Sequence, residues 1–420
     1  MINYKKLANY QQYLLDSYRQ KKGQPGYLQT FILLKNAILK NIYFLYTNLA
    51  PITKMTKVDL DVLVIGTCNT DIEKSKKCWD LLKNQGLKVE IIVDHKKRHL
   101  EILKTTKLPA SYEVPSLFFL HYLYVLFLSF RYNPKVICLF HSNGVIPSLV
   151  RSLMPSAKTI YISHGVFPIE FFYSSFDFDY FFLFGEASLQ NAQNTKKRFG
   201  NTKALLTGSP FIHEDFLRAH PLKCEKSVLF SANFLVKVPG IYQKSFFIFL
   251  DWIKSRPDIT CYIKKHPIDE ELFINNHARN IPNAIVMPTD TSLYNALQNV
   301  SFLINTDSCT SVEAALMGRP TIVLNHYDFD PTQTDNHLVS DNFLHLEKFF
   351  GPRAKNVDEL NIKFEDFYKN HTHYEKKAKD FAQFHLSKKN SQLFISEFIL
   401  NLVQNKPLNQ YQFTNLEEKL

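Results

Sequence analysis

The sequence predicts an α/β protein of two facing Rossmann-like domains, with a helical extension before the first domain and additional helices towards the end of the chain. Short apolar runs recur in two separate series, and stretches with helical spacing of apolar residues lie between most of them. Runs that are apolar throughout favour strands covered on both faces, and hence parallel sheets between layers of helices. A length of 420 residues also exceeds what a single hydrophobic core usually supports. Two domains of similar size are therefore expected.

The first series of strands follows a helical extension over residues 1–55. It begins with the run DLDVLVIGT, which leads into an amphipathic stretch. The predicted strands are Asp59–Thr67, Lys88–Val93, Lys135–Phe140, Thr159–Ser163, Tyr180–Phe184 and Ala204–Thr207. They define a first domain over residues 56–210. The segment Gly208–Glu225, which contains two prolines, is the predicted passage to the second domain.

The second series predicts another domain of the same kind over residues 225–405. Its predicted strands are Ser227–Phe230, Thr260–Ile263, Ala284–Met287, Phe302–Asn305 and Thr321–Leu324, and its predicted helices include Ile241–Ser255, Ser292–Gln298 and Ser311–Met317. Residues 406–420 are polar and are expected to form a frayed tail. Because ligands of open α/β sheets bind beyond the carboxyl ends of the strands, functional side chains are expected just after strands.

The composition is that of an ordinary globular protein and limits the classes of partner. Hydrophobic residues make up 45% of the chain, charged residues make up 21%, and the net charge is +11 at pH 7. The basic residues are scattered and are not interleaved with stacking aromatics, so nucleic-acid binding is not expected. An anionic substrate and an anionic membrane face account for the charge more simply. Six single cysteines, with neither CxxC pairs nor metal-ligand spacing, indicate reduced thiols in a cytoplasmic protein and no metal site.

The segment Val114–Phe130 is the apolar stretch that bears on membrane contact. Pro115 lies at its start, and His121 and Ser129 interrupt it, so we expect a buried or peripherally lipid-facing helix and not a membrane span. Residues Met1–Asp16 lack the apolar region of a signal peptide. We therefore expect a cytoplasmic protein whose membrane contact, if any, is peripheral and at the inner face.

Lys264, Lys265, His266 and Pro267 end one strand of the second series. Pro267 stops the strand, so the two lysines and the histidine fall at the carboxyl end of the sheet. Two cations and an imidazole suit a nucleotide phosphate, because they neutralise the charge that builds up as the bond to the phosphate breaks. A solvated strand end with an incidental histidine is the structural alternative.

A hydroxyl-rich turn follows another strand of the same domain, in the sequence NTDSCTSVEAALMGRP. It leads into a helix with Ser308, Thr310 and Ser311 near its beginning. Glu313 lies in the first turns of this helix, which is predicted to end at Gly318. Hydroxyls and the N–H groups of a helix start bind phosphate, and a glutamate there accepts from ribose hydroxyls. Helix capping alone is the structural alternative, but two such sites at strand ends of one domain favour a nucleotide site.

These two motifs resemble the donor sites of bacterial surface-polysaccharide glycosyltransferases of the GT-B fold. The His-Pro segment and the later Ser/Thr cluster are similar to bacterial sialyltransferases, and the longer form ending in EAALMGRP is similar to capsule Kdo transferases. The motifs also resemble CDP-glycerol glycerophosphotransferases, where a Lys-x-His-Pro segment and a Thr-Asp-x-Ser-Ser turn play the same parts. The resemblance covers scattered motifs within residues 159–325. It implies that a cytidine nucleotide is bound by His266, Ser308, Thr310, Ser311 and Glu313.

The first domain supplies a candidate base. The strand Thr159–Ser163 is followed by His164 and Gly165, and a neutral imidazole at a strand end suits a general base for an acceptor hydroxyl. A His-Gly at the same place in the CDP-glycerol enzymes is similar, which implies a catalytic role. Glu170 and Glu186 are the carboxylate alternatives, and a histidine satisfied by a backbone carbonyl is the structural one. The acidic base motif of the sialyltransferases does not occur in this sequence.

Other strand ends complete the predicted nucleotide site. Gly208 and Ser209 follow a strand of the first domain, and Ser231 and Asn233 follow the first strand of the second domain.

Two further segments match the DxD pattern of metal-using glycosyltransferases, and we interpret both as chance occurrences in a chain rich in phenylalanine. They are Asp177-Phe178-Asp179 and Asp328-Phe329-Asp330.

The leading hypothesis is a metal-independent transferase that moves a sugar from a CMP-activated donor to a glycan or lipid-linked glycan acceptor. The sugar is expected to be acidic, such as a sialic-acid-like or Kdo residue, with His164 as base and His266 assisting the leaving nucleotide. The donor is a co-substrate, and no cofactor is expected. Polyol-phosphate transfer from CDP-glycerol is the first alternative and would use the same histidines.

Two further alternatives remain open from the sequence. Non-hydrolysing UDP-GlcNAc 2-epimerases share the fold and a similar Thr-Asp-Ser turn, but their turn continues Gly-Gly-x-Gln-Glu-Glu, whereas this chain continues Cys-Thr-Ser-Val-Glu-Ala. The other alternative is a catalytically inactive glycan-binding subunit.

Overall fold

A computed structural model describes most of the chain. The described residues are 3–22, 27–47, 55–66, 68–93, 102, 107–140, 145–168, 174–218, 224–232, 235, 241–266, 271–306, 308–325 and 344–419. The chain divides into two compact units, each built around its own sheet. The first unit comprises residues 1–184, 188–211 and 390–420, and the second comprises residues 185–187 and 212–389.

In the part of the chain that the structure describes, the sheet of the first unit has seven strands. They are β1 (Val58–Gly66), β2 (Val89–Val93), β3 (Tyr132–Leu139), β4 (Lys158–Ile162), β5 (Tyr180–Leu183), β6 (Thr202–Leu206) and β12 (Thr414–Leu416). Their order is β12-β6-β5-β4-β3-β1-β2, and all neighbours are parallel except β12 and β6. The chain passes from β1 to β2 on one side and returns to β3 on the other, so the topological switch point lies between β1 and β3.

Helices cover this sheet, and two of them come from the predicted helical extension. The helices are α1 (Tyr4–Lys22), α2 (Tyr27–Thr47), α3 (Asn69–Lys74), α4 (Lys76–Asn84), α5 (Phe119–Arg131), α6 (Ile146–Leu153), α7 (Glu186–Asn194) and α15 (Ser391–Val403), with a 3-10 turn at Ser116–Phe118. The extension packs on the first unit, because the Tyr10 ring lies 4.8 Å from that of Phe199 and the Tyr43 hydroxyl contacts the backbone of Leu108.

The apolar stretch Val114–Phe130 contains the 3-10 turn Ser116–Phe118 and most of α5, and most of its side chains are buried. Leu123, Tyr124 and Val125 are fully buried in the core that joins α1, α5 and α6 to the sheet. Among the described residues, no helix combines the length and the apolar character that crossing a membrane requires.

The end of the chain belongs to the first unit, which differs from the predicted domain over 225–405 and the predicted tail over 406–420. The Ser396 hydroxyl on α15 donates to the carbonyl of Cys78 on α4, and β12 adds to β6 as an antiparallel edge strand. Phe398 on α15 also packs against Tyr411, with 4.7 Å between ring centroids. A strand of three residues is too short to show the alternation of apolar and polar side chains that predicts a strand. The sequence of this segment therefore indicates only a polar tail.

Among the described residues of the second unit, five strands form a parallel sheet. Its strands are β7 (Ser227–Ser231), β8 (Thr260–Lys264), β9 (Ala284–Val286), β10 (Phe302–Asn305) and β11 (Thr321–Val323), in the order β11-β10-β7-β8-β9. The helices are α8 (Ile241–Lys254), α9 (Glu271–Ala278), α10 (Leu293–Gln298), α11 (Thr310–Leu316), α12 (Leu346–Phe350), α13 (Val357–Lys369) and α14 (His371–His385), with a 3-10 turn at Glu214–Leu217. The switch point of this sheet lies between β7 and β10.

Aromatic side chains fill the core of the second unit. Phe230 on β7 stacks on Phe249 of α8 with 4.3 Å between centroids, and Trp252 on the same helix lies 5.4 Å from Phe364 of α13. The six cysteines are unpaired in the structure, and Cys78, Cys138 and Cys261 are buried. Burial raises the pKa of the Cys78 thiol to about 12, so this group stays protonated.

Replacing Gly200 with alanine should destabilise the first unit strongly. The φ of Gly200 is +116°, and a Cβ atom there would lie 2.6 Å from the Cα atom of Asp177. Backbone strain and overpacking each cost about 1–3 kcal/mol, so we expect a loss of about 3 kcal/mol in the free energy of unfolding, measured in urea. Gly86→Ala is the matched control, because Gly86 has a φ of +80° but no atom within 4 Å of the added Cβ, and it should cost only about 1 kcal/mol. Equal losses in the two variants would contradict this account.

Candidate functional site

The carboxyl ends of three adjacent strands in the second unit bring three polar residues into one row. The ladder between β7 and β8 pairs Ser231 with Lys264, and the ladder between β7 and β10 pairs Phe230 with Ile304. Asn305, one residue beyond Ile304, therefore lies at the level of Ser231. Adjacent strands are about 5 Å apart, so the backbones of Lys264 and Asn305 are about 10 Å apart on either side of Ser231. The row includes the switch point between β7 and β10, where ligands of open α/β sheets bind.

Lys264 and Lys265 are held in place at the end of β8. The ammonium group of Lys264 donates to the carbonyl of Thr291 at 2.6 Å, which uses one of its three N–H donors. Burial lowers the pKa of Lys264, and the neighbouring charge of Lys265 lowers it further. The Lys265 ammonium lies 3.5 Å from a carboxylate oxygen of Glu271, and its side chain is 12% exposed. His266 is half-buried. Pro267 lies outside the described residues.

Asn305 shapes the turn that follows β10. Its side chain is fully buried, and its amide nitrogen donates at 3.0 Å both to the carbonyl of Ser308 and to the hydroxyl of Ser311. Its amide oxygen accepts from the backbone N–H of Ser308 at 3.3 Å. Asn305 was absent from the predicted site residues. An asparagine at the end of an apolar run is itself a turn signal, because its side chain bonds the backbone a few residues on.

The hydroxyls of Ser308 and Thr310 form a pair at the surface of this turn. The two oxygens are 3.0 Å apart, and the backbone N–H of Thr310 donates to the Ser308 hydroxyl at 3.3 Å. Both residues are half-buried. Helix α11 begins at Thr310, and the N-cap position is Cys309, whose side chain does not cap the helix. The helix has seven residues, so hydroxyls and lysines contribute more to the attraction of an anion than its short dipole does.

The remaining predicted residues of the second unit differ in accessibility. Ser311 is fully buried and accepts from Asn305, so it supports the turn from inside. Glu313 in the first turn of α11 and Ser231 at the end of β7 are half-buried. Asn233 lies outside the described residues. Gly318 ends α11 with a φ of +74°, as predicted.

In the first unit, His164 pairs with a buried aspartate. Nδ1 of His164 lies 3.0 Å from a carboxylate oxygen of Asp71, and the side chains are 64% and 3% exposed. Asp71 lies in α3, which follows β1, whereas His164 follows β4. Because β3 lies between these strands, the pair spans the end of β3 beside the switch point. Phe211 packs against the histidine ring at 5.6 Å between centroids.

Asp71 is a site residue that the sequence did not point to. An acidic residue in the first turn of a helix is common because it favours the helix dipole, so it carries no functional signal by itself. Its contact with His164 indicates a functional role for this aspartate. A carboxylate on Nδ1 fixes the ring and its tautomer, which directs Nε2 outward as a proton acceptor.

The other predicted residues of the first unit have structural partners or lie elsewhere. Gly208 has a φ of +73°, and the buried Ser209 hydroxyl accepts from the backbone N–H of Phe211 at 3.2 Å. Both belong to the first unit. Glu186 is exposed at the start of α7 and belongs to the short segment 185–187 of the second unit, and Glu170 lies outside the described residues.

The first DxD segment is part of the framework. A carboxylate oxygen of Asp177 lies 3.2 Å from the guanidinium of Arg151, and Asp179 accepts from the backbone N–H of Thr159 at 2.8 Å. The second segment, Asp328–Asp330, lies outside the described residues. Within the described ranges, no group of three or more His, Cys, Asp or Glu side chains could hold a metal ion.

Comparison with known proteins identifies the fold. No protein-family model matches the chain, and no curated protein matches its sequence. Among solved structures, UDP-GlcNAc 2-epimerase from Neisseria meningitidis bound to UDP-GlcNAc is 13% identical, with a TM-score of 0.54 over 82% of this chain and 100% of that one. The S. aureus MnaA–UDP structure is 11% identical, with a TM-score of 0.55 over 84% of this chain and 99% of that one. The wall teichoic acid polymerase TagF is 11% identical, with a TM-score of 0.47 over 93% and 98%. At such identities the likeness establishes the fold, two Rossmann-like α/β domains of the GT-B type with helices at both termini, and confirms the predicted fold class.

Proposed function

We propose that this chain is a glycosyltransferase that moves a sugar from a CMP-activated donor to a surface-glycan acceptor. The observation that carries the proposal is the row of Lys264, Ser231 and the turn ordered by Asn305 at the switch point of the second unit. Cations, hydroxyls and turn N–H groups in one row are the groups that bind a nucleotide phosphate. The donor is therefore assigned to the second unit.

The lysines act on the leaving nucleotide in this proposal. When the bond between the sugar and the phosphate breaks, negative charge grows on the phosphate oxygens, and an ammonium group held nearby stabilises that charge. Lys264 and Lys265 are fixed by Thr291 and Glu271, so they need little reorganisation during the reaction. His266 assists at the phosphate.

The cytidine base and the acidic sugar rest on the resemblance to CMP-dependent enzymes. In that assignment Ser308 and Thr310 contact the phosphate, Glu313 accepts from the ribose, and Ser231 lies at the neighbouring strand end. Ser311 takes a supporting role, because its buried hydroxyl already accepts from Asn305.

His164 is the base of the proposed reaction, and Asp71 positions it. Nε2 of His164 accepts the proton of an acceptor hydroxyl, whose oxygen attacks the sugar carbon while the phosphate leaves with the bonding electrons of the broken bond. Asp71 holds Nδ1–H and stabilises the imidazolium that forms. The 64% exposure of His164 gives an acceptor access to the ring.

The site residues and the fold also bear on two other reactions, the transfer of a polyol phosphate and the epimerisation of a nucleotide sugar. Transfer of a polyol phosphate from CDP-glycerol would use the same lysines and His164, with attack at phosphorus in place of carbon. An epimerase is favoured by the fold shared with the UDP-GlcNAc 2-epimerase from Neisseria meningitidis, whose structure holds UDP-GlcNAc. The turn sequence from Cys309 to Ala314 opposes that activity, because it lacks the Gly-Gly-x-Gln-Glu-Glu continuation of the UDP-GlcNAc 2-epimerases.

Thermal unfolding with CMP, CDP, UDP and GDP tests the donor assignment. A nucleotide at about 100 times its dissociation constant stabilises the folded protein by roughly 2.7 kcal/mol, so CMP should raise the melting temperature clearly more than UDP or GDP. His164→Ala should keep the full shift, because that residue acts on the acceptor. Stabilisation by UDP alone, together with interconversion of UDP-GlcNAc, would establish the epimerase in place of the transferase.

A further inference from the structure

Helix α2 exposes a row of aliphatic side chains to solvent. Leu34, Ile38, Ile42 and Leu45, here called the α2 face, are 58%, 49%, 54% and 68% exposed. Their spacing of four, four and three residues places them on one side of the helix. Of the six exposed side chains between residues 33 and 45, only Lys35 and Asn41 are polar. A contiguous exposed apolar patch of this kind marks a site of interaction with a partner or a membrane.

The orientation of α2 is fixed by its opposite side. Tyr43 is 2% exposed and bonds the backbone of Leu108, and the Lys40 ammonium is buried and donates to the carbonyl of Val114 at 2.8 Å. The helix therefore cannot turn its aliphatic side inward without breaking these contacts. The packing of the opposite side on the first unit therefore keeps the aliphatic side exposed.

The charge of the surrounding segment identifies the kind of partner. Residues 1–57 contain nine lysines and arginines and a single acidic residue, Asp16. This segment carries most of the net charge of +11. An aliphatic helix face in a segment with this excess of positive charge fits the surface of an anionic bilayer, where apolar burial and attraction to lipid headgroups add together.

An aromatic residue lies at the border of the α2 face. Tyr112 is 60% exposed, and its hydroxyl donates to the side-chain oxygen of Asn41 at 2.9 Å. The Lys40 ammonium lies 4.1 Å from the centre of its ring. Tyrosines are enriched at the boundary between hydrocarbon and water, because the ring is apolar and the hydroxyl is polar.

We propose that the α2 face binds the surface of an anionic membrane, with α2 lying in the plane of the lipid headgroups. The membrane contact anticipated from the sequence thereby moves from the buried α5 to α2. A second copy of the chain fits this surface less well, because a two-fold contact would bring two strongly basic segments together. The proposal does not depend on the proposed transferase activity, and its test needs no substrate.

Co-sedimentation with lipid vesicles measures the interaction. The wild-type protein should bind vesicles of phosphatidylcholine with phosphatidylglycerol about tenfold more tightly than vesicles of phosphatidylcholine alone. Replacing all four residues of the α2 face with glutamine should weaken binding to the anionic vesicles about tenfold or more, because the inserted apolar area is lost. Glutamine keeps good helix propensity, and thermal unfolding checks that the fold remains.

A matched control separates this surface from general hydrophobicity. Leu272, Ile285, Ile362 and Leu393 are 69%, 45%, 68% and 45% exposed but are scattered over three helices and a strand. Their replacement with glutamine should leave vesicle binding unchanged. Equal loss in the two fourfold variants, or no binding by the wild-type protein, would overturn the proposal. So would a wild-type dimer that becomes monomeric in the α2 variant, with vesicle binding retained.

A tryptophan reporter tests the same contact if the fourfold variant does not fold. The two native tryptophans, Trp79 and Trp252, are 1% and 0% exposed, so their emission should not respond to vesicles. Ile42→Trp should give a blue shift of the emission when anionic vesicles are added, because the indole enters the headgroup region. Leu272→Trp should give no shift. Absence of a shift from position 42 would overturn the proposal.

Discussion

We expect His164→Ala to lower the rate of sugar transfer about a thousandfold or more, with the same affinity for the nucleotide as the wild-type protein. General base catalysis contributes about 10²–10⁴ to a rate, and the alanine variant loses all of it. Asp71→Asn should lower the turnover number about a hundredfold with an unchanged KM. The reason is that an asparagine amide can stabilise the wrong imidazole tautomer and cannot balance the charge of the imidazolium. Both effects are read from steady-state kinetics with the donor at saturation.

The controls for this prediction use a second histidine–aspartate pair of the same chain. Nδ1 of His213 lies 3.0 Å from a carboxylate oxygen of Asp215, and the histidine is 72% exposed, so the pair matches the candidate pair in this distance and in the exposure of the ring. Its role is structural, because Nδ1 of His213 also accepts from the backbone N–H of Asp215 at the start of a 3-10 turn. His213→Ala and Asp215→Asn should leave turnover unchanged. Added imidazole should restore part of the activity to His164→Ala, because it replaces the missing base. A His164→Ala enzyme that turns over normally would exclude this histidine as the base.

Lys264→Met should weaken nucleotide binding about 10–100-fold. A hydrogen bond to a charged group contributes about 1.5–3 kcal/mol, and methionine keeps the apolar stem of the side chain while removing the charge. Isothermal titration gives the affinity directly. Lys254→Met is the control, since it removes one positive charge from an exposed position in the same unit. Equal affinities of Lys264→Met and the wild-type protein would place the phosphate elsewhere.

The pH dependence of binding gives a second readout for Lys264. Burial lowers the pKa of this lysine in the free protein, and a bound phosphate raises it again. Binding is therefore coupled to proton uptake at pH values near the free pKa, and the affinity for the nucleotide should fall as the pH rises through that range. Lys264→Met should lose this part of the pH dependence.

The strands and the strand-end residues were predictable because each is a local property of the sequence. The predicted strand Phe302–Asn305 coincides with β10, and the predicted helix Ile241–Ser255 differs from α8 by one residue. Parallel strands covered on both faces give short, fully apolar runs, and the carboxyl ends of such strands lie at one edge of a sheet. Lys264 could therefore be placed at an edge of the sheet before its contacts were known.

Contacts between distant parts of the chain were not predictable in this way. Asp71 and His164 approach each other because the strand order places β1 and β4 on either side of β3. No local pattern in the sequence encodes that order. The burial of the Ser311 hydroxyl beneath Asn305 likewise depends on how the turn closes. An unaligned sequence shows which residues can do chemistry, whereas tertiary structure decides which of them support the others.

The pairing of β12 with β6 has a consequence for how the protein is made. Leu416 pairs with Thr202, and residues 212–389, which form nearly all of the second unit, are encoded between these two strands. On the ribosome, residues 212–389 are available to fold as one continuous stretch, whereas the sheet of the first unit waits for its last strand until residue 416 has been synthesised. Until then β6 presents an unpaired edge, which is the kind of surface that chaperones protect and that pairs with other chains. The synthesis of β12 therefore completes the sheet of the first unit, although β1 to β6 are made before residues 212–389.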